Sequence, residues 1–153
     1  MAEPQTDPED DDGDLTDMLG EMRVLLPGAQ LLSAFLVTVP FQTGFAQIDL
    51  PEKEVFLATF VLAISSLILL SAPAVQHRLI RPLADRARFK RLATRQIIAG
   101  AAMLSLALVL ATELVISQVF GKSVAWAAAG FVAITIALFW WLLPKVYRAR
   151  GRV

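Results

Sequence analysis

The sequence predicts an all-α integral membrane protein: a bundle of four transmembrane helices, N-in and C-in, with a short amphipathic cytoplasmic helix before the first span. Composition is the first reason, since the 153 residues are 56% hydrophobic and have a mean hydropathy of +0.60, too apolar for an ordinary soluble domain. The second is that four apolar stretches are each long enough to cross about 30 Å of hydrocarbon. The third is that nearly all lysines and arginines lie on one side of those stretches.

The N-terminal part of the chain is polar and precedes the first apolar stretch. Residues 1–14 carry acids and prolines with almost no apolar side chain, which predicts a disordered acidic cytoplasmic tail. Residues 15–26 predict an amphipathic interfacial helix, because apolar side chains recur there at i, i+3, i+4 and i+7. These side chains are Leu15, Met18, Leu19 and Met22. Pro27 and Gly28 then predict a break or kink before the first span.

The four apolar stretches define a membrane domain over residues 27–147. The predicted spans are about 28–45, 55–75, 96–120 and 123–143. Because only a few residues separate the last two spans, we expect them to form a tight antiparallel hairpin. Residues 148–153 follow as a basic cytoplasmic tail.

The placement of basic residues predicts the orientation of the spans. Lys53 and Lys122 lie on one side, and the other twelve lysines and arginines lie on the other side. Since basic residues next to spans concentrate in the cytoplasm, the N-terminus, the middle loop and the C-terminus are expected to be cytoplasmic. Seven residues around the middle loop are expected to contact lipid headgroups. They are Arg78, Arg81, Arg86, Arg88, Lys90, Arg91 and Arg95.

Three sequence blocks resemble a known family. Residues 21–30 read EMRVLLPGAQ, residues 34–41 read AFLVTVPF, and residues 72–78 read APAVQHR. Together they are similar to a family of small bacterial, mainly actinobacterial, four-helix membrane proteins that is defined only as a domain of unknown function. The resemblance implies a multi-pass protein of the bacterial cytoplasmic membrane. Some members carry a sodium:proton antiporter label, but the resemblance supports the topology and adds little about activity.

Glu113 interrupts the third apolar stretch with an ionisable side chain. An ionised carboxylate is costly in hydrocarbon, so such a residue usually faces the bundle interior, a water-filled cavity or a partner group. Three hydroxyl residues lie on or beside the same helix face, and a glutamine of the first span adds a further polar group. The predicted proton or cation site therefore comprises Glu113, Gln42, Ser105, Thr112 and Ser117.

A structural role for the same carboxyl is the alternative. Glu113 would then fasten the third helix to polar groups elsewhere in the bundle, through contacts of about 1 kcal/mol or less. The polar residues available for such contacts are Gln30, Gln42, Ser65 and Ser66. The sequence leaves both interpretations open.

The fourth apolar stretch carries small residues at four-residue spacing. Ala125, Ala129, Ala133 and Ala137 recur in this way, with Gly130 beside them. Small side chains at this spacing let two helices approach closely. The stripe predicts packing against the third helix, or alternatively a homo-oligomer seam through Ala129, Gly130, Ala133 and Ala137.

Composition argues against most catalytic chemistry. The chain has no cysteine and one histidine, and it shows no nucleophile with a base, no paired carboxylates and no phosphate-binding loop. We therefore expect no enzymatic activity, no metal and no cofactor, and we expect no nucleic-acid partner because the basic loop is held at the membrane.

Two functions remain as hypotheses. The first is an accessory or scaffold protein that forms a homo-oligomer or joins a membrane-protein partner in the cytoplasmic membrane. The second is a proton- or cation-coupled transporter or channel in which Glu113 titrates.

Overall fold

The computed structural model describes residues 8–80 and 86–151, and for residues 8–19 and 21–23 the description covers the backbone alone. These residues form helices and no strand. The first three helices are α1 Pro8–Thr38, α2 Leu50–Leu79 and α3 Arg86–Phe120. Two short 3-10 turns, Val39–Phe41 and Thr43–Gln47, lie between α1 and α2.

The fourth span, Lys122–Ala149, is one continuous helix of mixed geometry. It begins with α4, Lys122–Ile136, continues as a π-helical segment, Ala137–Leu142, and ends with α5, Leu143–Ala149. Pro144 is the second residue of α5, two residues beyond the end of the π-helical segment. A proline lacks the backbone N–H and its ring clashes with the carbonyl four residues earlier, so the hydrogen-bond pattern before it must change.

Four helices are long and apolar enough to cross a membrane, which confirms the predicted number of spans. The apolar segment of the first helix is Val24–Phe41, and α2, α3 and the fourth span supply the other three. At about 1.5 Å per residue, the 31 residues of α1 and the 35 residues of α3 extend about 47 Å and 52 Å. Both helices are therefore longer than the roughly 30 Å that a span requires, and each has polar N-terminal turns in addition to its apolar part.

The N-terminal helix differs from the expected arrangement in two respects. α1 begins at Pro8, inside the segment 1–14 for which the sequence predicts disorder. It also continues without a break through Pro27 and Gly28. Pro27 leaves the carbonyl of Arg23 without its usual donor, and that carbonyl lies at the polar end of the span where water can bond it. The predicted amphipathic face, from Leu15 to Met22, lies outside the residues whose side chains are described.

Local chemistry explains where the helices end. Pro40 lies two residues beyond the end of α1, in the first 3-10 turn. Asp49 caps α2 in a capping box, in which the Asp49 backbone N–H donates to Glu52 Oε2 at 3.3 Å. Gly121 alone separates α3 from α4 and has a φ of +83°, a conformation that favours glycine. The predicted tight hairpin between the last two spans follows from this single residue.

The helices pack largely in chain order, with α2 and α3 at the centre. α1 packs against α2 and, to a smaller extent, against α3. Among the described elements, α4 packs against α3 and contacts neither α1 nor α2. One core cluster joins Leu36 of α1 to Phe56 and Ala63 of α2 and to Ala107 and Leu114 of α3. A second core cluster, at the other end of α1, joins Ala29, Leu70 and Leu104.

The closest described approach at a glycine is between α2 and α3. A Cβ added to Gly100 would lie 2.9 Å from Leu70 Cγ and 3.2 Å from Leu69 Cβ. Leu70 is fully buried, so its side chain has little room to move away. Glycine at this position therefore sets the distance between the two central helices.

Gly100→Ala is expected to destabilise the bundle. Overpacking a well-packed core costs about 1–3 kcal/mol, whereas the better helix propensity of alanine returns at most about 1 kcal/mol. The midpoint of thermal unfolding in detergent should therefore fall.

Gly28→Ala is the matched control, because a Cβ at Gly28 of α1 would meet no atom within 4 Å. Its midpoint should stay unchanged or rise. Equal midpoints for the two variants would contradict a close α2–α3 contact at Gly100.

Candidate functional site

Glu113 lies in the C-terminal half of α3 and is half-buried. Its neighbour Leu114 is buried in the core cluster with Phe56 of α2. Successive residues of an α-helix are about 100° apart, so Glu113 lies on the flank of α3 and not on the face toward α2. Within the described ranges, no hydrogen bond or ion pair joins Glu113 to another residue.

The three predicted hydroxyl neighbours of Glu113 bond to their own helix. Ser105 Oγ donates to the Ala101 carbonyl at 2.8 Å, Thr112 Oγ1 donates to the Leu108 carbonyl at 2.7 Å, and Ser117 Oγ donates to the Leu114 carbonyl at 2.9 Å. Such bonds to a preceding turn satisfy a hydroxyl inside an apolar span. The donor proton of each hydroxyl is therefore already used, and only the oxygen lone pairs remain for another group.

Gln42 lies at a different place from Glu113. It is exposed beyond the end of α1 and lines a groove of about 340 Å³ between that end and α3. The groove is mostly apolar, and its second glutamine is Gln118 of α3. Glu113 does not line this groove. The structure thus keeps Glu113, Ser105, Thr112 and Ser117 on one helix and places Gln42 in a separate groove.

Sequence reasoning did not identify two buried serine hydroxyls, one on α1 and one on α2, as a pair inside the bundle. Ser33 Oγ of α1 and Ser66 Oγ of α2 are buried and have no hydrogen-bond partner among the described residues. Ser33 lies between the core residues Ala29 and Leu36, and Ser66 lies between Ala63 and Leu70. Because α1 and α2 are antiparallel, the two serines lie at the same level. Serine is common in apolar spans, so no sequence signal distinguished this pair.

Polar groups are also buried between α2 and α3 near their charged ends. Gln76 Oε1 and Gln96 Oε1 are buried without a donor among the described residues. Nearby, the His77 ring lies 5.9 Å from the ring of Phe89, which is itself buried. A buried carbonyl oxygen without a donor is a natural position for a bound water.

The predicted headgroup-contacting residues lie at the ends of α2 and α3. Arg81 falls outside the described residues, and Lys90 is half-buried. The remaining five, all exposed, are Arg78, Arg86, Arg88, Arg91 and Arg95.

The small-residue stripe of the fourth span is divided between two environments. Ala125 and Ala129 are buried, and because α4 contacts α3 alone, they face α3. Gly130 and Ala133 are half-buried, and Ala137 is exposed in the π-helical segment. The packing of this helix on α3 therefore uses the first part of the stripe and leaves the rest at the surface.

No group of three or more potential metal-ligating side chains occurs in the described ranges. The grooves found there lie between helices or on single helices. The arrangement consequently offers separate polar positions and not one assembled reaction centre.

Comparisons with known proteins agree with the family resemblance. No curated protein and no solved structure matches the chain. One family model does match, over residues 4–144, and it therefore covers the first three spans and most of the fourth. The chain belongs to this family, which is described as a family of unknown function (DUF6328).

Proposed function

We propose that this chain is an accessory or scaffold protein of a bacterial cytoplasmic membrane, and that it forms a homo-oligomer through its fourth span. The observation that carries the proposal is the position of that span. Only 6% of its apolar window is buried, compared with 17% to 28% in the other three. α3 is its one described neighbour, so most of its surface is open to lipid or to a second copy.

The side of the fourth span that α3 leaves partly or fully exposed carries small residues, which close helix packing requires. Gly130, Ala133 and Ala137 fall within an arc of about 60° at 100° per residue. No atom lies within 4 Å of the position of a Gly130 Cβ. Because lipid is as apolar as leucine, helices associate in a bilayer through tight packing at such small residues.

A groove beside this arc supports the same interface. It measures about 390 Å³, and residues of the fourth span alone line it. Ala137 and Trp141 lie on its wall, and Ile134 lies at its α4 end. A large apolar side chain fits this groove, and Phe131, 72% exposed on the same span, is such a side chain. A second copy would therefore supply both the small residues and the side chain that fills the groove.

Cysteine cross-linking tests the interface with little background, because the natural chain contains no cysteine. Ala137→Cys is expected to form a disulfide-linked dimer in native membranes under mild oxidation. Adding Gly130→Leu to that variant should abolish the dimer, since the leucine would separate the two helices.

Ala74→Cys is the matched control, because Ala74 is an exposed alanine of α2 near the same end of the bundle. It should remain monomeric. Equal dimer yields for Ala74→Cys and Ala137→Cys would show random collision and contradict the interface.

The N-in and C-in orientation is part of the proposal. Its support is the bias of twelve basic residues against two across the four spans. The ends of α2 and α3 near Arg78 and Arg86 would then face the cytoplasm, and the turn before α2 would face outward.

Thiol labelling measures this orientation directly. Ala46→Cys, in the turn before α2, should react with a membrane-impermeant maleimide in intact cells. Ala149→Cys, at the end of α5, should react only after the membrane is permeabilised. The reverse pattern would show that the orientation is wrong.

The second candidate function is a proton- or cation-coupled transporter or channel. It is favoured by Glu113, a half-buried carboxyl inside the third span that has no described bonding partner. Intramembrane carboxyls of this kind serve proton and ion pathways. Oligomerisation would supply a second copy of the carboxyl.

Proteoliposomes under an imposed pH gradient test this function. Glu113→Gln should reduce ion flux to the level of protein-free liposomes, because the amide cannot carry a proton. Glu54→Gln, which neutralises an exposed carboxyl at the start of α2, should keep the flux of the natural chain. If the natural chain gives no flux above protein-free liposomes, the transporter function is wrong and the accessory function gains support.

A further inference from the structure

Three arginines and a leucine share one exposed face at the start of α3. Arg88, Arg91, Leu92 and Arg95 line a groove of about 320 Å³. They occupy positions i, i+3, i+4 and i+7, so at 100° and 1.5 Å per residue they span an arc of about 100° and a rise of about 10 Å. All four are exposed. The buried side of the same turns carries Phe89 and Ala93, which hold α3 in the bundle.

The face lies at the boundary between charged and apolar sequence. Arg95 is its last arginine, and the apolar run of the third span begins two residues later, at Ile97. At 1.5 Å per residue, the backbone of Arg95 lies about 3 Å from that run, that of Arg91 about 9 Å and that of Arg88 about 13 Å. The face therefore begins next to the apolar run and extends about 10 Å away from it, across the depth of lipid phosphates.

The chemistry of the face matches a phosphate group. Arginine presents a planar set of N–H donors that binds phosphate oxygens in pairs. Arg91 and Arg95 are four residues apart, so their like charges repel each other, and an anion between them removes that repulsion. Leu92, 47% exposed between the arginines, adds an apolar surface that the glycerol and the first carbons of an acyl chain can cover.

We infer that Arg88, Arg91 and Arg95, with Leu92, form a binding site for the phosphate of an anionic phospholipid. A membrane lipid is favoured over a soluble phosphate because the site adjoins the hydrocarbon and includes an exposed leucine. The inference depends on the membrane insertion of α3 and is independent of the oligomer and transport proposals.

The test measures lipid binding by the full-length chain in nonionic detergent, using native mass spectrometry. Phosphatidylglycerol and phosphatidylcholine with identical acyl chains are titrated separately. The variant R88Q/R91Q/R95Q removes the site. Each basic residue near an anionic lipid surface contributes about fivefold to binding, so the triple variant should lose at least about tenfold in phosphatidylglycerol affinity.

The control variant K145Q/R148Q/R150Q removes the same charge from exposed residues in and at the end of α5. It should bind phosphatidylglycerol as the natural chain does, and phosphatidylcholine should bind weakly to all three proteins. An equal loss in both triple variants would show that only net charge matters and would overturn the site. Unchanged binding in R88Q/R91Q/R95Q would overturn it as well.

Two measurements on the natural chain need no variant. Phosphatidylglycerol binding should fall as the Debye length shortens from about 10 Å at 0.1 M salt to about 3 Å at 1 M. Binding that does not change with salt concentration would overturn an arginine–phosphate contact. Inorganic phosphate is then added as a competitor. If millimolar phosphate displaces the lipid completely, the ligand is a soluble phosphate and the assignment to lipid is wrong.

Discussion

The contact between α2 and α3 at Gly100 determines where the other spans can lie. In water, burial of apolar surface would drive these helices together, but in a bilayer the surrounding lipid is equally apolar. Association then depends on van der Waals packing, which falls steeply with distance. At Gly100 the packing is so close that Leu70 occupies the space of the missing side chain. Thr59, Ala63 and Ser66 continue the buried face of α2 with small side chains.

The flanking helices use the central pair in different ways. α1 packs on α2 and reaches α3, so both core clusters include its residues. The fourth span contacts α3 alone and buries only Ala125 and Ala129. The bundle is consequently well packed on one side and open on the other. This asymmetry is the physical basis for proposing that a second copy, and not more of the same chain, covers the fourth span.

Charge has its own arrangement along the bundle. α1 and α3 run in the same direction, because each is joined to α2 by a short connection, and their long N-terminal turns extend from the same end of the bundle. The sequence of these turns is acidic in α1 and basic in α3. The arginine face of α3 therefore lies at the same end of the bundle as the acidic N-terminal turns of α1. The contact between arginines and a phosphate is electrostatic, so its affinity is sensitive to salt.

The sequence by itself determined the all-helical class, the four apolar segments long enough to span a membrane, the tight last hairpin and the membership of a family of unknown function. These properties depend on run length, glycine placement and local pattern, which the chain order already contains. Only the tertiary structure decided that Gly100 is the closest approach at a described glycine, that Ser33 and Ser66 lie at one level without partners among the described residues, and that Gln42 is apart from Glu113. Each of these depends on which residues of separate helices meet, and helical periodicity does not encode the register between helices. For the same reason the sequence left open whether the small residues of the fourth span pack on the third helix or form a homo-oligomer seam, whereas the structure showed which of them α3 covers.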